Sequence, residues 1–200
     1  LGASRLTFSA GRNGLLPGIF TKTNRNGVPV NALIAMQVIY TGVIVIDSQY
    51  GVEVGTQNIF RYTEEMQKPV IFAMNQLDGE KADYDNTIEQ LRESFGNKIV
   101  QIQYPISCGA SFNAMIDVLK MYKWKPEGGT PEVLEIPAEE KEKAADLHQK
   151  LIEAAAENDE GLMEKFFDQG ILSEDEMREG IRKGLITRSM FPVFCVSALR

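Results

Sequence analysis

Two short polar segments follow apolar, β-branched runs and carry the chain's clearest chemistry. Asn75-Gln76-Leu77-Asp78 follows Val70-Ile71-Phe72-Ala73-Met74, and Ser197-Ala198-Leu199 follows the run from Phe191 to Val196. A carboxylate such as Asp78 accepts two parallel hydrogen bonds, which suits a ligand edge with two adjacent donors. Guanine offers such an edge in its N1–H and exocyclic amino group. Adenine presents an acceptor and a C–H there, leaving the carboxylate unpaired at a cost of roughly 1–3 kcal/mol, more for a charged group. Asn75 can bond the other base edge or tie neighbouring loops together. The backbone N–H groups of Ser197, Ala198 and Leu199 can close over guanine O6. An Asn-x-x-Asp is equally a turn and helix-cap cluster, so its meaning depends on the elements that hold it.

Those elements alternate from residue 43 onward. Val43-Ile44-Val45-Ile46-Asp47 reads as a strand buried on both faces, and Val70–Met74 as a second. Between them, Gly55 to Gln67 reads as a helix with Ile59, Tyr62, Thr63 and Met66 on one stripe, closed by Pro69. Asp83 caps a helix striped by Tyr84, Ile88, Leu91 and Phe95, and Gly96 stops it. Ile99 to Tyr104 reads as a strand and Phe112 to Met121 as a helix, followed by a loop at 125–131. Ala138 to Ala156 is a strong helix with Ala144, Leu147, Leu151, Ile152 and Ala155 inward. Ser173-Glu174-Asp175-Glu176 is a capping box opening another helix that ends near Gly184, and Phe191 to Val196 returns to strand. The pattern predicts an α/β domain, a partial parallel sheet of the P-loop NTPase type, with a helical acidic insertion over 132–182. In such sheets, ligands bind beyond the carboxyl ends of the strands, where both polar segments lie.

Composition narrows the function classes. The 200 residues are 44% hydrophobic and 24% charged, with a net charge of −7. Such an acidic chain does not suit non-specific binding of naked nucleic acid. Cys108 and Cys195 are its only cysteines and His148 its only histidine, which excludes a disulfide framework, a Cys/His zinc site and a His-dependent triad. The Glu139–Lys143 run reads as an exposed helix face, and Trp124 as a loop-packing residue. Residues 1–27 show no apolar core followed by a small-residue cleavage site, so a cytoplasmic location is expected.

From about Gly42 to Arg200 the chain resembles the G domain of bacterial elongation factor G, the translocation GTPase. Four segments carry the resemblance: Tyr50–Gln57, Val70–Asp78, Ala155–Lys165 and Phe194–Leu199, in the family's order and with its acidic insertion. The resemblance implies a guanine-nucleotide-binding domain over 42–131 and 183–200, with Asn75, Gln76, Leu77, Asp78, Ser197, Ala198 and Leu199 at the nucleotide. It implies GTP or GDP as ligand and the ribosome as the intact family's partner. Ribosomal-protection proteins have a similar G domain and stand as the alternative. The departures are specific. The family's Asn-Lys-x-Asp has Gln76 in place of lysine, which keeps some packing along the base and loses the charge. No Gly-x-x-x-x-Gly-Lys-Ser/Thr occurs in the chain; Ala10–Gly18 is the nearest approach and lacks the lysine and the magnesium-binding hydroxyl. The Asp-x-x-Gly of the second switch and its histidine are missing too. The family's magnesium ligands and catalytic residues therefore have no counterpart here.

Residues 1–41 differ in kind. They hold Arg5, Arg12, Lys22 and Arg25 with no acid, whereas residues 42–200 hold 17 basic and 28 acidic residues, a balance of −11. The stretch Ala10–Pro17 and Phe20–Leu33 is similar to a cytoplasmic loop and helix start of amino-acid permeases, and the positive charge before an apolar run fits the positive-inside rule. The run Ala32–Ile46 is 15 residues, short of the about 20 a spanning helix needs, so no stable membrane insertion is expected. The chain reads as a junction of two unrelated fragments near Thr41; a divergent N-terminus, a membrane-transport segment or an artificial fusion are the other readings of this stretch.

Overall fold

The computed structural model describes residues 41–117, 120–123 and 130–197. The permease-like stretch up to residue 40, Trp124 with most of the 125–131 loop, and Ala198 and Leu199 lie outside them. The chain divides into two units at Thr41/Gly42, and the elements below belong to the second.

Its core is a parallel sheet of four strands. β1 (Gly42–Asp47) pairs with β2 (Val70–Asn75), which pairs with β8 (Phe191–Cys195), which pairs with β3 (Ile99–Gln101). The three strands read from β-branched runs are thus parallel neighbours. α1 (Val54–Glu65) connects β1 to β2, and α2 (Tyr84–Phe95) connects β2 to β3. Asp83 caps α2 by accepting the Asn86 N–H at 3.0 Å, and the chain leaves the helix at Gly96 with φ +83°. Phe60 of α1 and Phe95 of α2 pack with Phe72 and Phe191 of the sheet, at ring separations of 4.3–6.5 Å. This aromatic layer covers one face of the sheet.

Four sequence expectations are corrected. β1, read as buried on both faces, buries Ile44 and Ile46 but leaves Val43 and Val45 exposed, because among the described residues helices cover only the face that carries Ile44. The α1 stripe of Ile59, Tyr62 and Met66 is exposed; Thr56 and Phe60 are the buried positions. Both sets recur at helical spacing, and the aromatic layer selects the one carrying Phe60. The strand read over 99–104 is broken at Ile102, whose N–H donates to Val193, so β3 stays in the parallel sheet and β4 (Gln103–Pro105) joins another. The helix read over 112–121 does not form. β5 (Ala114–Asp117) and β6 (Lys120–Lys123) build an antiparallel sheet with β4 and β7 (Glu132–Leu134). Ala114 and Ile116 alternate inward with Met115 and Asp117, a period of two that buries Ile116 beside Tyr104 in the main core. The acidic block 132–182 therefore starts with a strand, β7, before its helices.

α3 (Lys141–Ala156), α4 (Glu160–Gln169) and α5 (Glu174–Thr187) form those helices; α4 has no counterpart among the sequence expectations. Leu151, Ile152 and Ala155 of α3 and Met177 of α5 make a second core with Met190, against Val100 and Ile102. The capping box at Ser173 and Glu176 is formed. The Glu139–Lys143 run is not a bare surface: Glu140 accepts the Tyr104 hydroxyl at 3.1 Å and Lys143 sits 4.7 Å from that ring. Together they tie the antiparallel sheet to the start of α3. Among the described residues no helix is long and apolar enough to cross a membrane.

Candidate functional site

The tetrad sits at the carboxyl end of β2, held from three sides. Asn75 closes the strand opposite Asp47, and its carbonyl accepts the Ser48 N–H at 3.0 Å. Gln76 then takes a left-handed conformation, φ +58°, and turns the chain out of the sheet. Its carbonyl accepts the Gly79 N–H at 2.9 Å, which makes the tetrad a tight turn. Leu77 is fully buried and its carbonyl accepts the Gly109 N–H at 2.8 Å, so the middle of the turn is anchored in the core. Asn75, Gln76 and Asp78 are left at the surface or half-buried around that anchor.

β8 brings the second segment alongside. The Val196 N–H donates to Met74 at 2.9 Å, extending the β2–β8 register past the end of both strands. Two residues of the sequence's base-site set then meet: Ser197 Oγ donates to Asp78 Oδ1 at 3.2 Å. A carboxylate has about four lone-pair directions, so Asp78 keeps acceptor capacity for two parallel donors while it holds Ser197. Ala198 and Leu199 lie outside the described residues.

Gln49, in the turn after β1, is a member of this site that motif reading missed. Its Nε2 donates to Gln76 Oε1 at 2.6 Å, and its own N–H donates to Asp47 Oδ1 at 2.9 Å. A Cβ on Gly79 would overlap the Gln49 carboxamide, so this position is small where the two turns cross. The amide pair links the tetrad to the β1 turn where the family's lysine would carry charge. The signal available was position: Gln49 also lies just beyond the carboxyl end of a parallel strand. Ser48 beside it is buried, and its hydroxyl has no hydrogen-bond partner among the described residues.

Behind the turn, Cys195 is buried and donates its N–H to Gln103 Oε1 at 3.1 Å. Burial pushes its thiol well above the ordinary cysteine range, which makes it a poor nucleophile. Burial also raises Cys108, which packs against the same core. Tyr84, raised by burial, donates its hydroxyl to the Gln103 carbonyl at 2.6 Å. These groups are support for the strand end, with no free acid or base among them. A cavity of about 290 Å³, lined by Arg92, Gln101, Leu147, Lys150, Leu151 and Glu157 among others, lies between β3 and α3; the tetrad does not line it.

The arrangement offers hydrogen-bond acceptors to a flat, donor-bearing ligand edge. The sequence provides no phosphate loop to continue the site towards charged groups. The crystal structure of a protein from Thermus thermophilus is similar over 82% of this chain, with a TM-score of 0.72 and 26% identity. This chain spans only 24% of that protein's length. Residues 30–200 match the elongation factor Tu GTP binding domain, a match that takes in residues 30–41 as well as the whole described α/β unit. With most of its length inside that match, the chain belongs to the elongation factor Tu GTP binding domain family.

Proposed function

We propose that Gly42–Arg200 is the base-reading half of the guanine-nucleotide domain of an elongation factor G-like translational GTPase. In the intact relative this domain would couple GTP to translocation on the ribosome. The observation that carries the reading is the Ser197–Asp78 hydrogen bond at 3.2 Å, which joins the ends of β2 and β8 where the two base motifs of such a domain meet. Asp78 accepts from guanine N1–H and the exocyclic amino group, and Asn75 bonds the opposite edge of the base. Backbone N–H groups after Val196 close over guanine O6. Gln49 and Gln76 hold the tetrad turn to the β1 turn. A nucleotide's phosphates and magnesium would need a loop lysine and a hydroxyl that the sequence lacks, so binding rests on the base.

Titration of fluorescent GDP and XDP analogues against the chain and its Asp78→Asn variant tests the reading. Xanthine carries a carbonyl where guanine carries its amino group, and an amide donates where a carboxylate accepts. Asp78→Asn is expected to move the preference from GDP towards XDP by tenfold or more, about 1.4 kcal/mol. An unchanged preference would show that the tetrad does not read the base.

A further inference from the structure

β8 outruns its β3 neighbour before it reaches the base site. Within the parallel ladder the Phe191 N–H donates to the Lys98 carbonyl at 2.7 Å, and the Ile102 N–H donates to the Val193 carbonyl at 3.2 Å. One more step along both strands would set the Cys195 N–H against residue 102. β3 ends at Gln101, however, and the chain turns there into β4. Cys195 is buried, and a buried N–H without an acceptor is costly.

The Gln103 carboxamide supplies what the strand does not. Its Oε1 accepts the Cys195 N–H at 3.1 Å, and its Nε2 donates to Asp117 Oδ2 of β5 at 3.4 Å. A carboxamide copies a peptide unit, with an acceptor at one end and a donor at the other. A donor faces the first end here and an acceptor the second, which fixes its orientation. The Gln103 backbone is fixed too: its carbonyl accepts the Tyr84 hydroxyl at 2.6 Å, and that oxygen accepts Gln101 Nε2 at 3.1 Å. Burial raises the Asp117 carboxyl, and the bond from Gln103 opposes the rise, as a contact to the charged form does.

Only Val196 separates Cys195 from Ser197. The Val196 N–H is held by the Met74 carbonyl on the β2 side at 2.9 Å, and the Cys195 N–H by Gln103 on the other. The two peptide groups before Ser197 are therefore clamped from opposite sides. On the reading of Asp78 and Ser197 as part of a guanine site, we propose that Gln103 is a positioning residue for base recognition. It stands in for the missing strand, holds the Val196–Ser197 exit from β8 in place for guanine O6, and ties the antiparallel sheet to the base site. Gln103 acts through the Cys195 peptide and not by touching the base.

NMR titration of the isotope-labelled 200-residue chain with GDP and with 6-thio-GDP tests this. The variants are Gln103→Leu, Gln103→Glu and Gln103→Glu combined with Asp117→Asn. The thio analogue keeps the N1–H and the amino group and puts a weak sulfur acceptor in place of O6. Gln103→Leu is expected to speed exchange of the Cys195 N–H and to weaken GDP by about fivefold to tenfold, while leaving 6-thio-GDP nearly unchanged. Gln103→Glu alone sets a second carboxylate against Asp117 and is expected to weaken GDP as well. In the double variant the introduced carboxylate accepts from both the Cys195 N–H and the introduced carboxamide, and GDP affinity should return to within about twofold. Should Gln103→Leu unfold, Gln103→Glu and its rescue by Asp117→Asn carry the same comparison. GDP binding that the Gln103 variants leave unchanged, or that falls equally for both nucleotides, overturns the proposal and leaves the base reading standing. A double variant that fails to recover does the same. No GDP binding by the unaltered chain overturns the base reading itself, and this proposal with it.

Discussion

Asp78 lies in a tight turn and Glu176 in the first turn of α5, and their surroundings give the two carboxylates different tasks. Asp78 accepts one hydrogen bond, from the Ser197 hydroxyl, and retains further acceptor capacity. Glu176 is consumed by its neighbours: the Lys165 ammonium, then the Ser173 N–H and hydroxyl, hold its carboxyl down to about 2 from an ordinary 4.5. Lys183 lowers Asp159 in the same way at the start of α4. A depressed folded-state value means the charged form favours the native state. The contribution of Glu176 is therefore complete above pH 4.5 and is lost as pH falls from 4.5 towards 2. Glu176→Gln is expected to flatten the acid limb of the stability curve across that interval, followed by circular dichroism at 222 nm. An unchanged acid limb would mean that the Lys165 contact does not persist in solution. The Ser173 capping box was legible in the sequence because its partners are three residues apart. The Lys165–Glu176 and Lys183–Asp159 pairs were not, because only the packing of three helices brings them together.

At the scale of elements, one close approach fixes the insertion. A Cβ on Gly180 of α5 would run into the Ala155 carbonyl of α3, so the two helices approach backbone to backbone at this point. Gly180→Ala gains helix propensity, up to about 1 kcal/mol, but must push the helices apart. A net destabilisation of about 1–3 kcal/mol is expected in urea unfolding; a stabilised variant would show that α3 and α5 stand further apart. The parallel strands were legible because a continuous β-branched run between turn residues has few other solutions. The antiparallel sheet was not, since its strands are three or four residues long and Phe112–Met121 fits helical spacing nearly as well as alternation. The α1 helix was legible, but its inward face was not: Ile59, Tyr62 and Met66 form a better apolar stripe than Thr56 and Phe60. Only the aromatic layer of Phe72, Phe95 and Phe191 decides between them. Arg188 shows the same limit. It is buried, left-handed at φ +59°, and its guanidinium donates to the Thr63 carbonyl in the last turn of α1 and to the Lys68 carbonyl past its end. A basic residue at a helix end reads from sequence as solvent-facing.

For the molecule as a whole, the site and the charge distribution point the same way. Phosphoryl transfer depends on positioning and charge neutralisation by a phosphate loop, its lysine and a held magnesium ion. No Gly-x-x-x-x-Gly-Lys-Ser/Thr occurs in the 200 residues, and residues 42–200 carry a net −11 that disfavours an unshielded triphosphate. The purified chain is expected to release no phosphate from GTP above background; turnover that Asp78→Ala abolishes would reveal a phosphate site supplied by other residues. On the proposed reading this chain contacts the base and leaves the phosphates alone, which is checked by calorimetric titration of guanosine and, separately, of GDP into the chain, with and without magnesium. Base contacts alone correspond to roughly −4 to −6 kcal/mol, a Kd in the high micromolar range or weaker. Guanosine and GDP are predicted to bind with the same affinity within a factor of about three, indifferent to magnesium and lost in Asp78→Ala. GDP binding a hundredfold tighter than guanosine, and strengthened by magnesium, would contradict it.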